Sequence, residues 1–123
     1  MIFQDNKAIY LQIADYVCEN VIQNKWPEGE KIPSVRELAA SIAVNPNTIM
    51  RAYTYLEEKK VIETHRGVGY FVCKNAKKIV TDLKKQEFIS TQLPNFFKAM
   101  DLLGIRFEEI HQLYHLRESH EKK

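Results

Sequence analysis

Asn45-Pro46-Asn47-Thr48-Ile49-Met50-Arg51 carries two start signals for one helix. Asn is a favoured cap because its side-chain oxygen accepts an orphan amide hydrogen, and Pro at the first helical position gives up an amide that would have lacked a partner. The helix predicted from Pro46 to about Lys59 puts Ile49, Ala52, Tyr53 and Leu56 on an inner face. Its first turn gathers small hydrogen-bonding side chains and exposed amides at the positive end of the helix dipole, which favours a phosphate. Between Val44 and Leu56 the one charge is Arg51, whereas a solvated surface helix usually mixes both signs. Such a face suits approach to a polyanion.

Upstream, Pro33-Ser34-Val35-Arg36-Glu37 reads as a capping box, with the Ser34 hydroxyl on one orphan amide and Glu37 reaching back to the amide of Ser34. A short helix follows, Val35 to about Ile42, with Val35, Leu38 and Ala39 inward. Before it, Ile9, Ile13, Val17 and Val21, backed by Tyr10, Ala14 and Cys18, form an apolar stripe on a helix from about Ala8 to Gln23. Trp26-Pro27-Glu28-Gly29 then supplies a loop. Downstream, Val61–Thr64 and Gly69–Cys73 are β-prone runs separated by His65-Arg66-Gly67-Val68, a pattern that suits a hairpin. Two strands alone are marginal in water, so the hairpin must pack on the helices. Three helices and a hairpin in this order make a winged helix-turn-helix, a mainly α fold with a small β-hairpin.

From Asn75 the pattern changes. Ile79, Leu83, Leu93, Phe96 or Phe97, Met100 and Leu103 recur at helical spacing, with a gap at Gln86. Pro94 inside this stripe predicts either a kink or two helices meeting near Leu93. Gly104 reads as a C-terminal cap, and a last helix from Glu108 to Ser119 places Ile110, Leu113 and Tyr114 on one face, followed by a fraying tail. This helical pair has more apolar surface than it can hide on itself, so a two-fold partner is expected to cover it. The expected division is a DNA-binding domain over 1–74 and a helical dimerisation region over 75–123.

The 123 residues hold 18 Lys and Arg against 16 Asp and Glu, a net charge of +2, and 45% hydrophobic residues, room for one modest core. A nucleic-acid binder is often strongly basic, and this chain is not. Residues 1–75 carry nine bases and nine acids, but between Lys31 and Leu56 stand Lys31, Arg36 and Arg51 against Glu37 alone. Sign is sorted by face, which predicts modest non-specific affinity and reliance on shape and base contacts. Cys18 and Cys73 lie far apart without a CxxC pair and read as free thiols in a reducing cytoplasm. Neither a leader nor a membrane span is apparent.

The runs Glu30–Ala39, Val44–Ile49 with Arg51-Ala52-Tyr53, and Gly67–Val72 resemble the signature of the GntR family of bacterial transcription regulators, over about residues 8 to 73. The resemblance implies a homodimeric cytoplasmic repressor on double-stranded DNA, its third helix in the major groove of a palindromic operator and its hairpin tip at the adjacent minor groove. Arg36 and Thr48 match DNA-contacting positions, Ser34, Asn45 and Asn47 the surrounding backbone contacts, and His65, Arg66 and Gly67 the wing tip. Arg51 falls where a phosphate or base edge would lie. On this reading Lys31, Arg51 and Arg66 attract phosphate, while Asn47, Thr48 and Arg36 read bases. The sequence departs from the family at Asn24-Lys25 and at Lys60, where glycine is usual, so Asn24 and Lys60 are expected to take left-handed or altered caps. The short helical extension resembles that of the YtrA subfamily, in which it serves dimerisation.

Other readings compete. His111 and His115 stand four apart, a spacing that can hold one metal with Glu108 or Glu118, yet no second ligand cluster accompanies them, and neither a metal nor a cofactor is expected. The Phe96-Phe97-Met100 group could line a small-molecule effector cavity instead of a packed core. A winged helix that binds protein rather than DNA is a further alternative. Nucleophile motifs, phosphate-cradling loops and paired carboxylates are wanting, so an enzyme is not expected.

Overall fold

The structure is a computed structural model that describes residues 1–4 and 6–121, with side chains described as far as Arg117. Two compact units divide the chain, Met1–Leu83 and Lys84–Lys123.

In the first unit, α1 (Ile9–Ile22), α2 (Val35–Ile42) and α3 (Pro46–Glu58) precede a hairpin of β1 (Ile62–His65) and β2 (Gly69–Val72). The inner face of α3 is fully buried at Ile49, Ala52, Tyr53 and Leu56, packed with Ile13, Val17 and Val21 of α1 and Leu38 of α2. Each large apolar side chain buried this way contributes roughly 1.5–3 kcal/mol. Ile9, expected on the α1 stripe, is half-exposed in the first turn. Gln12, which the apolar pattern passes over, is buried instead. Its side chain donates to the carbonyls of Gln4 (2.8 Å) and Lys7 (2.7 Å) and accepts from the Gln4 amide, fastening the N-terminal segment to α1.

Asn24 (φ 60°) and Lys60 (φ 66°) do take the left-handed conformation. Each closes its helix in the same manner. The Asn24 and Lys25 amides donate to the carbonyls of Val21 and Asn20, and the Lys60 and Val61 amides to those of Glu57 and Leu56, the paired bonds of a Schellman motif. Because the Val61 amide is spent on α3, β1 begins one residue later than the sequence pattern implied. The strands pair antiparallel in the register Ile62↔Val72 to His65↔Gly69.

A third row of backbone bonds was not legible as a strand. Segment 29–32 lies along β2, with the Gly29 amide donating to Val72 (2.8 Å), Val72 to Glu30 (3.0 Å) and Ile32 to Tyr70 (2.9 Å). The hairpin therefore packs on the helices and is also flanked by the chain that leads into α2.

α4 (Ala76–Glu87) begins in the first unit, where Ala76 and Val80 are buried and Ile79 packs against the same core. The Glu28 carboxylate accepts from the Lys77 amide in its first turn (3.3 Å). A π-helical turn, Phe88–Gln92, follows without a break in helical backbone, and α5 (Leu93–Leu103) continues it with Pro94 in the first turn. Pro94 thus marks a junction of two helices at Leu93, as its position implied, with a π-helical turn rather than a loop between them. It cannot donate to the carbonyl four residues back, and the wider turn, in which Leu93 donates to Phe88, accommodates the missing bond. Gly104 caps α5 at φ 66°, as its position implied. α6 runs Phe107–Glu121, longer at both ends than expected, so the tail to Glu121 is helical, and Lys122 and Lys123 lie outside the described residues. Among the described residues, no helix is long and apolar enough to cross a membrane.

Candidate nucleic-acid interface

The capping box at α2 is formed in full. Ser34 Oγ accepts from the Glu37 amide (3.1 Å), and the Glu37 carboxylate accepts from the Ser34 amide (2.9 Å). The Ser34 backbone bond, with its hydroxyl and the nearby Lys31 charge in lesser roles, holds the Glu37 carboxyl below its usual range. This box fixes the start of the helix from which Arg36 projects, exposed and without an ion pair among the described residues. Neither nearby carboxylate pairs with it. Glu37 is spent on the cap, and Glu57 accepts from the Thr64 hydroxyl (2.8 Å).

The segment leading into α2 is tied to α3 by one part-buried bond. The Tyr53 hydroxyl, on the inner face of α3, donates to the carbonyl of Pro33 just ahead of the capping box (2.7 Å). Burial pushes this phenol far above its ordinary range. Its ring meets that of Tyr70 on β2 edge to face at 4.8 Å, so a single residue couples the recognition segment, the start of α2 and the wing.

At the N-terminus of α3, Asn45 Oδ1 accepts from the Asn47 amide (2.8 Å), and the Asn45 carbonyl takes the Thr48 and Ile49 amides. Pro46 has no amide hydrogen. Most of the amides expected there for a phosphate are thus already taken by the cap: those of Asn47, Thr48 and Ile49 are bonded to Asn45. What α3 presents outward is side chains: Asn47, Met50, Arg51 and Thr54 are exposed at spacings of three and four, with Thr48 half-buried beside them. Met50 and Thr54 went unnoticed in the sequence, although their spacing from Asn47 marks them. The Arg51 guanidinium lies over the Tyr10 ring of α1 at 4.1 Å, and Tyr10 meets Tyr55 edge to face at 6.2 Å. Tyr55 accordingly packs toward α1, with Lys59 over its ring.

The wing turns at Arg66-Gly67, closed by the Val68 amide donating to His65 (2.8 Å), with Gly67 at φ 77°. Arg66 and Gly67 are exposed at the tip, while His65 lies on the strand, stacked on Phe71 at 4.0 Å and 3.2 Å from the Glu63 carboxylate. The Lys31 side chain lies directly over Gly69, the first residue of β2 after the turn. A Cβ at Gly69 would stand 2.8 Å from Lys31 Cε, and the φ of 140° there belongs to glycine. All ten residues singled out for DNA thus lie in the first unit, on the starts of α2 and α3 and on the wing with its flanking segment. Neither Cys18 nor Cys73 is in a disulfide, and burial, with the Glu63 charge in a lesser role, pushes the Cys73 thiol up.

The family model for bacterial regulatory proteins of the gntR family matches residues 9–72, the span that holds these features. The chain belongs to the GntR family. It is therefore a DNA-binding transcriptional regulator and not an enzyme. Among similar GntR proteins, the HTH-type transcriptional regulator YhcF of Bacillus subtilis (strain 168) is 41% identical over 108 residues, 88% of each chain. The HTH-type transcriptional repressor YtrA of the same strain is 38% identical over 109 residues, 89% of this chain and 83% of YtrA. Matches of that length cannot fit within Met1–Leu83, so they reach into the second unit. The crystal structure of a GntR-family regulator from Bacteroides thetaiotaomicron superposes with a TM-score of 0.80 at 39% identity, covering 93% of this chain and 99% of that one.

The second unit buries none of its described residues. Phe96, Phe97, Leu103, Leu113 and Tyr114 are 44–68% exposed, and Leu93, Met100 and Ile110 are half-buried. Phe88, Ile89, Leu102, Phe107 and Leu116 are exposed as well and were missed by a stripe read at strict α-helical spacing. On α6 the Nε2 atoms of His111 and His115 stand 3.1 Å apart, but among the described residues no group of three possible ligands gathers around a common point.

Proposed function

We propose that this GntR regulator is a homodimeric, cytoplasmic repressor that occupies a palindromic operator, with α3 in the major groove and the wing tip at the flanking minor groove. The observation that carries the proposal is the exposed row Asn47, Met50, Arg51 and Thr54 on a helix whose opposite face is wholly buried, with Arg36 beside it on a fixed cap. Asn47, Thr48 and Arg36 serve base readout. Lys31, Arg51 and Arg66 supply phosphate attraction, with Ser34, Asn45, His65 and Gly67 shaping the surfaces that bear them.

A second copy covers the apolar side chains of the second unit. Ten or more large apolar residues left in water are far more than a monomer usually tolerates in one place. Two copies present two recognition helices about 34 Å apart, one turn of duplex, so the operator repeats its sequence with two-fold symmetry.

The test is footprinting on the upstream promoter with an Arg36→Ala variant. Protection over an inverted repeat is expected. Arg36→Ala lowers operator affinity by about 1–3 kcal/mol and relaxes preference at one base pair. Equal losses on operator and random duplex would remove the base-readout role, and absence of protection would favour a protein-interaction module.

The converging imidazoles of His111 and His115 favour one variant of this reading, in which a metal ion gates the dimer. Operator release that responds to chelator supports it, and indifference to chelator and added metal removes it.

A further inference from the structure

Met50 is the one apolar side chain on the outward row of α3. It is 45% exposed, three residues from Asn47 and four from Thr54, on a surface otherwise made of amides, hydroxyls and a guanidinium. Nothing in the folding of the chain requires it there, because the core side of α3 is complete without it. A second element also holds it: the Tyr70 hydroxyl of β2 lies 3.7 Å from Met50 Sδ, and the Tyr70 ring is in turn packed on buried Tyr53. The flexible thioether is thus steadied from the wing side of α3.

The edges of base pairs in the major groove offer hydrogen-bond donors, acceptors and one apolar group, the C5-methyl of thymine. Amides and hydroxyls on α3 can satisfy the polar edges. A thioether is only a weak acceptor, and this sulfur already takes the Tyr70 hydroxyl, so its main gain in that setting comes from covering the methyl. We propose that Met50 is a specificity-determining residue that reads a thymine in each half-site through its 5-methyl group, positioned by the Tyr70 hydroxyl. The inference rests on the reading that α3 enters the major groove.

The test uses the full-length protein and the duplex defined by its own footprint, each thymine replaced in turn by deoxyuridine, which removes the methyl and leaves base pairing intact. Wild-type protein should lose roughly fourfold in affinity at one thymine per half-site, the value of one buried methyl-sized group. Met50→Ala should bind both duplexes alike at that position, while Met50→Leu, still apolar, should retain the discrimination. Tyr70→Phe should weaken it without abolishing it. Met50 is exposed enough for both of its variants to fold, and the fluorescence of Trp26, packed on Tyr16 in the same unit, verifies this. A footprint with no thymine sensitive to demethylation, or a sensitivity unchanged in Met50→Ala, overturns the proposal while leaving groove insertion standing. Absence of any footprint overturns both.

Discussion

Tyr53→Phe removes one oxygen atom and tests whether α2 and α3 are joined as described. The ring is fully buried and keeps its packing, including the edge-to-face contact with Tyr70. What disappears is the 2.7 Å bond to the Pro33 carbonyl. A hydrogen bond of this kind contributes about 1 kcal/mol net, and an acceptor stranded away from water costs about 1–3 kcal/mol. Pro33 is half-buried, so water can partly replace the donor, and the expected loss is about 1–2 kcal/mol. Urea unfolding followed by Trp26, the single tryptophan, reads this within the first unit. With a slope of about 1.5 kcal/mol per molar, the midpoint should fall by roughly 1 M. Operator affinity should fall less than tenfold, because Arg36 stays on a capped helix whose anchor has loosened. A midpoint shift too small to measure would refute the reasoning, since the Pro33 carbonyl would then lose nothing when its donor is deleted.

Lys60 holds φ 66° without the freedom of glycine, a strain of roughly 1–2 kcal/mol for an ordinary residue, so Lys60→Gly should stabilise the first unit in the same urea assay and Asn24→Gly should do so less. Glu37, whose carboxyl is held below its usual 4.5 chiefly by the Ser34 amide, stabilises the start of α2 above pH 4.5. That contribution fades as pH falls through the lowered value, and Glu37→Gln should flatten this acid limb of the stability profile, measured by thermal unfolding between pH 3 and pH 6.

The winged helix was largely legible because its signals are local. Asn45-Pro46, the Ser34–Glu37 box and the apolar spacing on α1 and α3 each act within a few residues, and each formed as read apart from Ile9 at the start of α1. Three features were not legible, for different physical reasons. The row of bonds from Gly29 to Ile32 joins segments some forty residues apart, and no pattern within either segment encodes that pairing. The first-turn amides of α3 are mostly taken by Asn45, whose side-chain and backbone oxygens both accept, and a sequence does not show how far one cap residue reaches. The second unit was harder still: a π-helical turn holds Phe88 and Ile89 and shifts the side chains after it around the helix, so a stripe counted at 3.6 residues per turn missed those two and Leu102. Met50 and Thr54 sat at readable spacings from Asn47, and Met50, an apolar side chain on a polar row, carries no hydrogen-bonding signal of its own.

The central claim, two copies reading one symmetric operator, is tested most directly by sedimentation of the intact protein with a duplex carrying the footprinted repeat. Two chains per duplex are expected, with affinity falling steeply as salt rises. One chain per duplex, or a complex indifferent to scrambling one half-site, would contradict it.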